Sequence, residues 1–149
     1  MKRLIGIILL LTLTSCSYMT DFYIFNKSGN SIFVEYKVKE RLNEEPFAFN
    51  ARIVEFDSDM EIIEIKKAFE IEFNNEINTL TCELKNGQAL WIGDDINFSL
   101  NDANDIKKLK RNLIYLKIKT ENTEINADEK NIIGFFKTFD RHTVGIEIK

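Results

Sequence analysis

Two thiols, Cys16 and Cys82, and one imidazole, His142, are the groups in this chain best suited to nucleophilic or metal chemistry. A nucleophilic cysteine needs a positioned base, and only His142 could serve Cys82. Cys82 sits in Leu80-Thr81-Cys82-Glu83-Leu84, where alternation puts it on the apolar face, so it reads as a small buried hydrophobe. His142 follows Asp140 and Arg141, the composition of a surface turn. Transition-metal sites combine several His or Cys ligands, which one His and one distant Cys do not supply. Hard oxygen donors crowd a single segment through Asp94, Asp95, Asn97, Asn101, Asp102, Asn104 and Asp105. A calcium loop adds a central Gly and a closing Glu, and this stretch has neither, so it reads as a solvated connection. Glu70 with Glu72, and Glu121 with Glu124, read as exposed strand and turn charges. With no Gly-rich phosphate loop, serine elbow or zinc-binding helix in the sequence, the expectation is a non-enzymatic protein with no cofactor and no metal.

Cys16 has a different chemistry in view, because of what precedes it. Lys2 and Arg3 lead into an apolar run over residues 4–13, and Leu13-Thr14-Ser15-Cys16 closes it. A basic start, an apolar stretch of about 7–15 residues and small residues before the cut make a secretory leader. The run falls short of the roughly 20 apolar residues a spanning helix needs. The segment resembles the lipobox of bacterial lipoproteins. That resemblance implies cleavage between Ser15 and Cys16, a diacylglycerol thioether on Cys16 and acylation, typically with palmitate, of the new amine. It divides the chain into a signal peptide (1–15), a lipidated tether (16–21) and a single domain (22–149). Each buried methylene of such an anchor contributes about 0.8 kcal/mol, and two or more chains hold far longer than one. Ser17, where an inner-membrane lipoprotein would carry Asp, implies delivery to the outer membrane, facing the periplasm. Surface export is the alternative, although Ser17-Tyr18-Met19-Thr20 lacks the acidic stretch that goes with it.

With Cys16 lipidated, Cys82 has no partner for an intramolecular disulfide, and a domain of this length needs none to fold. Cleavage removes two cations and no acid, taking the formal charge from −4 to −6. An acidic surface repels phosphate backbones, and Lys107-Lys108-Leu109-Lys110-Arg111 is too short to reverse that, so no nucleic-acid partner is expected.

The elements behind the leader follow a period of two, which predicts strands with one buried face. Residues 22–27 and 31–39 read as a hairpin across Ser28-Gly29-Asn30, with Ile32, Val34, Tyr36 and Val38 inward. Pro46 marks a loop, and Val54 with Phe56 a short strand. Ser58-Asp59-Met60-Glu61 fits a helix-capping box, leaving 60–67 open between helix and strand, while 68–73 alternate as a strand. Asn86-Gly87 predicts a type I′ hairpin between 80–85 and 88–92. Residues 102–109 suggest a short helix, acidic first and basic last. Strands follow at 112–120, with Ile114, Leu116 and Ile118 inward, then at 132–139 and 143–149. Many short strands without alternating helices predict an antiparallel β-sandwich, immunoglobulin-like in architecture only. With its opening hairpin and closing strand, the whole chain resembles small uncharacterised Bacteroidetes-type lipoproteins.

Aromatic residues remain as candidates for contact. Phe33 and Tyr115 fall on strand faces that otherwise carry charges, and Phe47 and Phe49 follow Pro46 in the predicted loop. Rings so placed can anchor a partner, whereas Trp91 reads as core. The expectation is a membrane-tethered accessory or interaction module of the cell envelope that meets an envelope protein or glycan. Two other readings stand beside it: an inhibitor or immunity lipoprotein against a basic envelope-targeting enzyme, and a carrier of a lipid or small apolar ligand.

Overall fold

A computed structural model describes residues 17–43, 45–63 and 71–149. The leader, with Ser15 and Cys16, lies outside the described residues, as do the first half of the expected strand 68–73 and part of the undecided stretch 60–67. The chain is a mostly-β sandwich of two sheets. Its strands are β1 (Met19–Asn26), β2 (Ile32–Val38), β3 (Arg52–Phe56), β4 (Ile62–Ile63), β5 (Glu72–Asn74), β6 (Thr79–Leu84), β7 (Gln88–Ile96), β8 (Leu113–Lys119), β9 (Glu124–Ala127), β10 (Phe136–Thr138) and β11 (Thr143–Ile148). Among the described residues one α-helix, α1 (Ala103–Arg111), links β7 to β8, and a 3-10 turn, Ile132–Phe135, leads into β10. One sheet runs β10-β11-β1-β7-β3-β4, the other β5-β6-β2-β8-β9.

The alternation of β2 is realised as expected: Ile32, Val34, Tyr36 and Val38 are buried between the sheets against Phe22, Ile24, Leu90 and Ile146. At roughly 25 cal/mol per Å² of apolar surface removed from water, this shared face is what makes the two sheets one body. The pairing differs from the sequence expectation in several places. The sheets are not wholly antiparallel, because β1 and β11 run parallel, with Tyr23 opposite Gly145. A Cβ on Gly145 would stand 2.5 Å from the Tyr23 carbonyl oxygen and 3.0 Å from the Phe25 ring, so the close approach requires glycine there.

Neither expected hairpin is a hairpin. β1 and β2 belong to different sheets, and so do β6 and β7, so Ser28-Gly29-Asn30 and Asn86-Gly87 are arches that carry the chain across the sandwich. The turn chemistry itself holds, with positive φ at Gly29 (82°) and Gly87 (81°). What redirects the chain is that the two arches bind each other. Fully buried Asn26 donates its side-chain amide to the carbonyls of Asn30 and Leu84 at 2.8 Å each and accepts from Ser28 N at 3.0 Å. Gly29 N donates to the Asn86 side chain at 3.1 Å, and Gly87 N to the Asn26 carbonyl at 2.9 Å.

Smaller departures have equally local causes. β1 begins at Met19 rather than Phe22. The Ser58–Glu61 sequence does not start a helix: Asp57 accepts from the backbone N–H of Asp59 and Glu61, Met60 takes φ 69°, and the chain turns from β3 into β4. Opposite Lys37 and Val38 the ladder skips from Tyr115 to Leu113, so Leu113 is buried and Ile114 is 41% exposed instead of inward. Residues 132–135 form the 3-10 turn before the strand resumes. Helix α1 extends the expected 102–109: Asp102 caps Asn104 and Asp105, and Lys108, Lys110 and Arg111 lie in the last turn, favourable to the helix dipole.

Candidate functional site

The outer face of the five-stranded sheet is built from the odd-numbered residues of β2 and their cross-strand partners. One row runs Glu83, Phe33, Lys119, Glu124; the next runs Glu72, Thr81, Glu35, Lys117, Asn126. Phe33 therefore sits on the central strand, between a carboxylate and an ammonium, and is 60% exposed. Burying such a ring yields about 1.5–3 kcal/mol. Tyr115 shares the face, where its hydroxyl donates to Glu35 Oε1 at 2.9 Å. Lys117 Nζ lies 3.7 Å from the same carboxylate and 4.8 Å above the Tyr115 ring. Burial of the phenol, and then the Glu35 carboxylate, hold the Tyr115 hydroxyl above its ordinary pKa, so it stays a neutral donor.

Two troughs flank this face and share Glu72 and Thr81. One, of about 410 Å³, runs beside Phe33, Glu83 and Lys85; the other, of about 660 Å³, is lined by Glu35, Phe73, Glu76 and Ile77. The charged groups on their walls are mostly carboxylates, Glu35, Glu72, Glu76 and Glu83, with Lys85 as the single cation among the described lining residues. The β8 side of the same face carries Lys117 and Lys119 instead. A bound partner would thus meet an apolar ring with acidic ground on one side and basic ground on the other.

Of the four aromatic residues singled out in the sequence, the fold brings Phe33 and Tyr115 to one face. Phe49 is half-buried, its ring 5.0 Å from Phe73 with the Arg41 guanidinium 5.5 Å above it. Phe47 is a correction: it is fully buried, packed on Tyr36 and Phe136. The reason is backbone geometry. Phe47 takes φ 63°, Ala48 N bonds the Ile92 carbonyl at 2.8 Å, and Tyr36 donates its hydroxyl to the Ala48 carbonyl. The loop after Pro46 is thereby drawn in as a plug between the sheets.

The groups with nucleophilic or metal chemistry are placed apart. Cys82 faces inward on β6, and burial pushes its thiol up to about 12. Since the thiolate is the nucleophile, it is inert at neutral pH. His142 lies on the other sheet's turn into β11, its backbone N–H donating to Asp140 and its Nδ1 3.0 Å from the Met19 carbonyl oxygen. In the acid-rich segment, Asp102 caps α1, Asp105 accepts from Ser99 N at 2.9 Å and Asp95 pairs with Lys108 at 3.2 Å. Among the described residues no three His, Cys, Asp or Glu side chains stand together as a metal site, and no helix is long and apolar enough to cross a membrane.

Sequence reasoning missed a second cluster. On the outer face of the six-stranded sheet, Tyr23, Phe25, Phe56 and Trp91 bury one another, so Trp91 is core to this cluster and not to the space between the sheets. Trp91 Nε1 donates to Asp21 at 2.7 Å, and the Arg52 guanidinium stacks 4.4 Å above its ring. Tyr23 and Phe25 alternate with Phe22 and Ile24, which is the one sequence signal that β1 is apolar on both faces. Comparison with protein-family models, curated proteins and solved structures finds no match to this chain. The class that fold and face define is a two-sheet sandwich with an aromatic, charge-divided outer surface on its five-stranded sheet.

Proposed function

We propose that the chain is a membrane-anchored envelope lipoprotein, held by lipid on Cys16, that acts as a non-enzymatic interaction module. Its place is the outer membrane facing the periplasm, with the cell surface as the alternative. The observation that supports this most is Phe33: a large ring 60% exposed at the centre of a sheet face, with charges of both signs around it. Interfaces concentrate their energy in such aromatic anchors ringed by polar groups. The partner is an envelope protein or glycan, received on the Phe33 and Tyr115 face.

The test places a photo-crosslinking amino acid at position 33 of the membrane-anchored chain, and at Lys137 on the other sheet as a control. A reproducible adduct from position 33 alone, weakened at least tenfold by Tyr115→Ala, is expected. Equal labelling from both positions would refute the assignment of this face. The acidic troughs favour a second reading, inhibition of a basic enzyme, because complementary fields speed association. Binding on that reading weakens steeply between 50 and 500 mM salt, on the order of the Debye screening change. A carrier role has less support, since the side chains between the sheets are almost all fully buried against one another.

A further inference from the structure

The start of β1 is tied down more tightly than a flexible tether requires. Tyr18 N donates to the Asn97 side chain at 3.0 Å, and Asn97 N returns a bond to the Tyr18 carbonyl at 2.9 Å. The Tyr18 ring lies under the Arg141 guanidinium at 4.3 Å and meets the His142 ring edge-on at 5.7 Å. Asp21 N then bonds the His142 carbonyl at 2.8 Å. The hydrogen-bonded backbone of the domain reaches Tyr18, and in the sequence only Ser17 stands between it and Cys16. Two residues of extended chain reach about 7 Å, roughly the depth of one headgroup layer.

The same end of the sandwich exposes apolar side chains. Met19 and Ile96 are cross-strand partners, 47% and 56% exposed. The carboxylates nearby are engaged: Asp21 by Trp91, Asp95 by Lys108, and Asp140 by the backbone of His142. Aliphatic side chains at the same strand end as an arginine and as the Tyr18 ring, whose hydroxyl donates to the Phe98 carbonyl at 3.4 Å, suit a headgroup boundary, where apolar and polar groups are both satisfied.

Resting on the reading of Cys16 as lipidated, we propose that this end of the domain is seated on the bilayer. Met19 and Ile96 enter the headgroup layer of a neutral phospholipid surface, and Tyr18 with Arg141 lies at its polar level. The anchor supplies the effective concentration and the apolar pair supplies the orientation. The domain then stands upright on the membrane, with the arches at Ser28–Asn30 and Asn86–Gly87 pointing away from it.

The experiment uses the full chain, produced with its leader, purified from membranes and reconstituted in vesicles of phosphatidylcholine and phosphatidylethanolamine. An environment-sensitive dye is attached to Ile96→Cys or Met19→Cys, and to Glu121→Cys at the far end as reference. Cys82, which lines the trough beside Phe33, is replaced by Ala in all three dye-bearing chains so that it does not compete for the label. Dyes at 96 and 19 are expected to shift to the blue and to be quenched by lipid-borne quenchers at least threefold more than the dye at 121. Intact mass is read on the same samples. A lipidated chain whose dyes at 96 and 19 behave like the one at 121 overturns the seating and leaves the anchor standing. A chain of unmodified mass overturns the anchor, and the seating with it.

Discussion

Replacing Asn26 with Ala tests the stitching of the two arches directly. The side chain is fully buried and makes contacts no other residue can replace: its amide holds the buried Leu84 carbonyl and the Asn30 carbonyl, and its oxygen receives Ser28 N and Oγ. Truncation removes the Asn26 donor from the buried Leu84 carbonyl, which lies on the β2–β6 ladder opposite Ile32, and with it the bonds to Asn30 and Ser28; four bonds are lost, at about 0.5–1 kcal/mol each. A total near 3 kcal/mol is large against the roughly 5–15 kcal/mol that holds a domain together. For a chain of this size it lowers Tm by about 12 °C, and the urea midpoint by about 1.5 M, at unchanged m-value. Paired thermal and urea unfolding monitored by circular dichroism measures it. Asn26→Asp refines the test, because it keeps the acceptor for Ser28 while placing a charge against two carbonyl oxygens. It should destabilise more than Ala. A loss below about 1 kcal/mol for Ala, or an Asp variant as stable as the parent, would refute the claim that Asn26 holds the arches together.

Two further predictions follow from single positions. Gly145→Ala drives a Cβ into the Tyr23 carbonyl at 2.5 Å, so β11 must shift from β1. About 2–3 kcal/mol of destabilisation is expected in a chemical unfolding curve, and none would mean the parallel pair has slack. Cys82 titrates at an ordinary 9.0 when unfolded and is pushed to about 12 by burial in the fold. The folded state therefore keeps its proton longer. The contribution is complete below pH 9 and drains away as pH rises through 12. Stability measured across that range should fall less steeply in Cys82→Ala, and identical slopes would show that the thiol is not the group responsible.

What the sequence made legible was local, and what it hid was the joining of distant segments. Alternation in β2 correctly divides Ile32, Val34, Tyr36 and Val38 from Phe33 and Glu35, because strand geometry alone sends neighbours to opposite faces. The Asp102 cap and the lysines of α1 are legible for the same reason. Asn86-Gly87 reveals a turn with positive φ, but the same turn serves a hairpin or an arch. The choice rests on Asn26 reaching Leu84 across 58 positions. Phe47 was misplaced because a φ of 63° reverses the direction its side chain would otherwise take from the loop. Ile114 was misplaced because one skipped residue in the β8 ladder flips the alternation. Within the candidate face, Phe33 and Tyr115 could be found by period, whereas the troughs could not. β5 and β6 bring Glu72 and Glu76 to β2 only through pairing.

The two ends of β1 link stability to the proposed role. β1 spans eight residues from Met19 to Asn26, a rise of about 23 Å. Phe33 follows Asn26 after a single arch, so it stands at the far end from the proposed tether, on a strand whose start is fixed by Asn26, Asn30 and Asn86. A ring that must serve as an anchor benefits from having its backbone ordered before the partner arrives, since each freedom lost on binding subtracts from affinity. The buried polar network at the arches therefore does two things with one set of bonds. It closes the sandwich where the chain changes sheets, and it presents Phe33 in a single orientation. Variants that loosen the arches without unfolding the domain should lose partner binding before they lose the fold, and that order of loss separates a platform built for Phe33 from an arch that merely connects two strands.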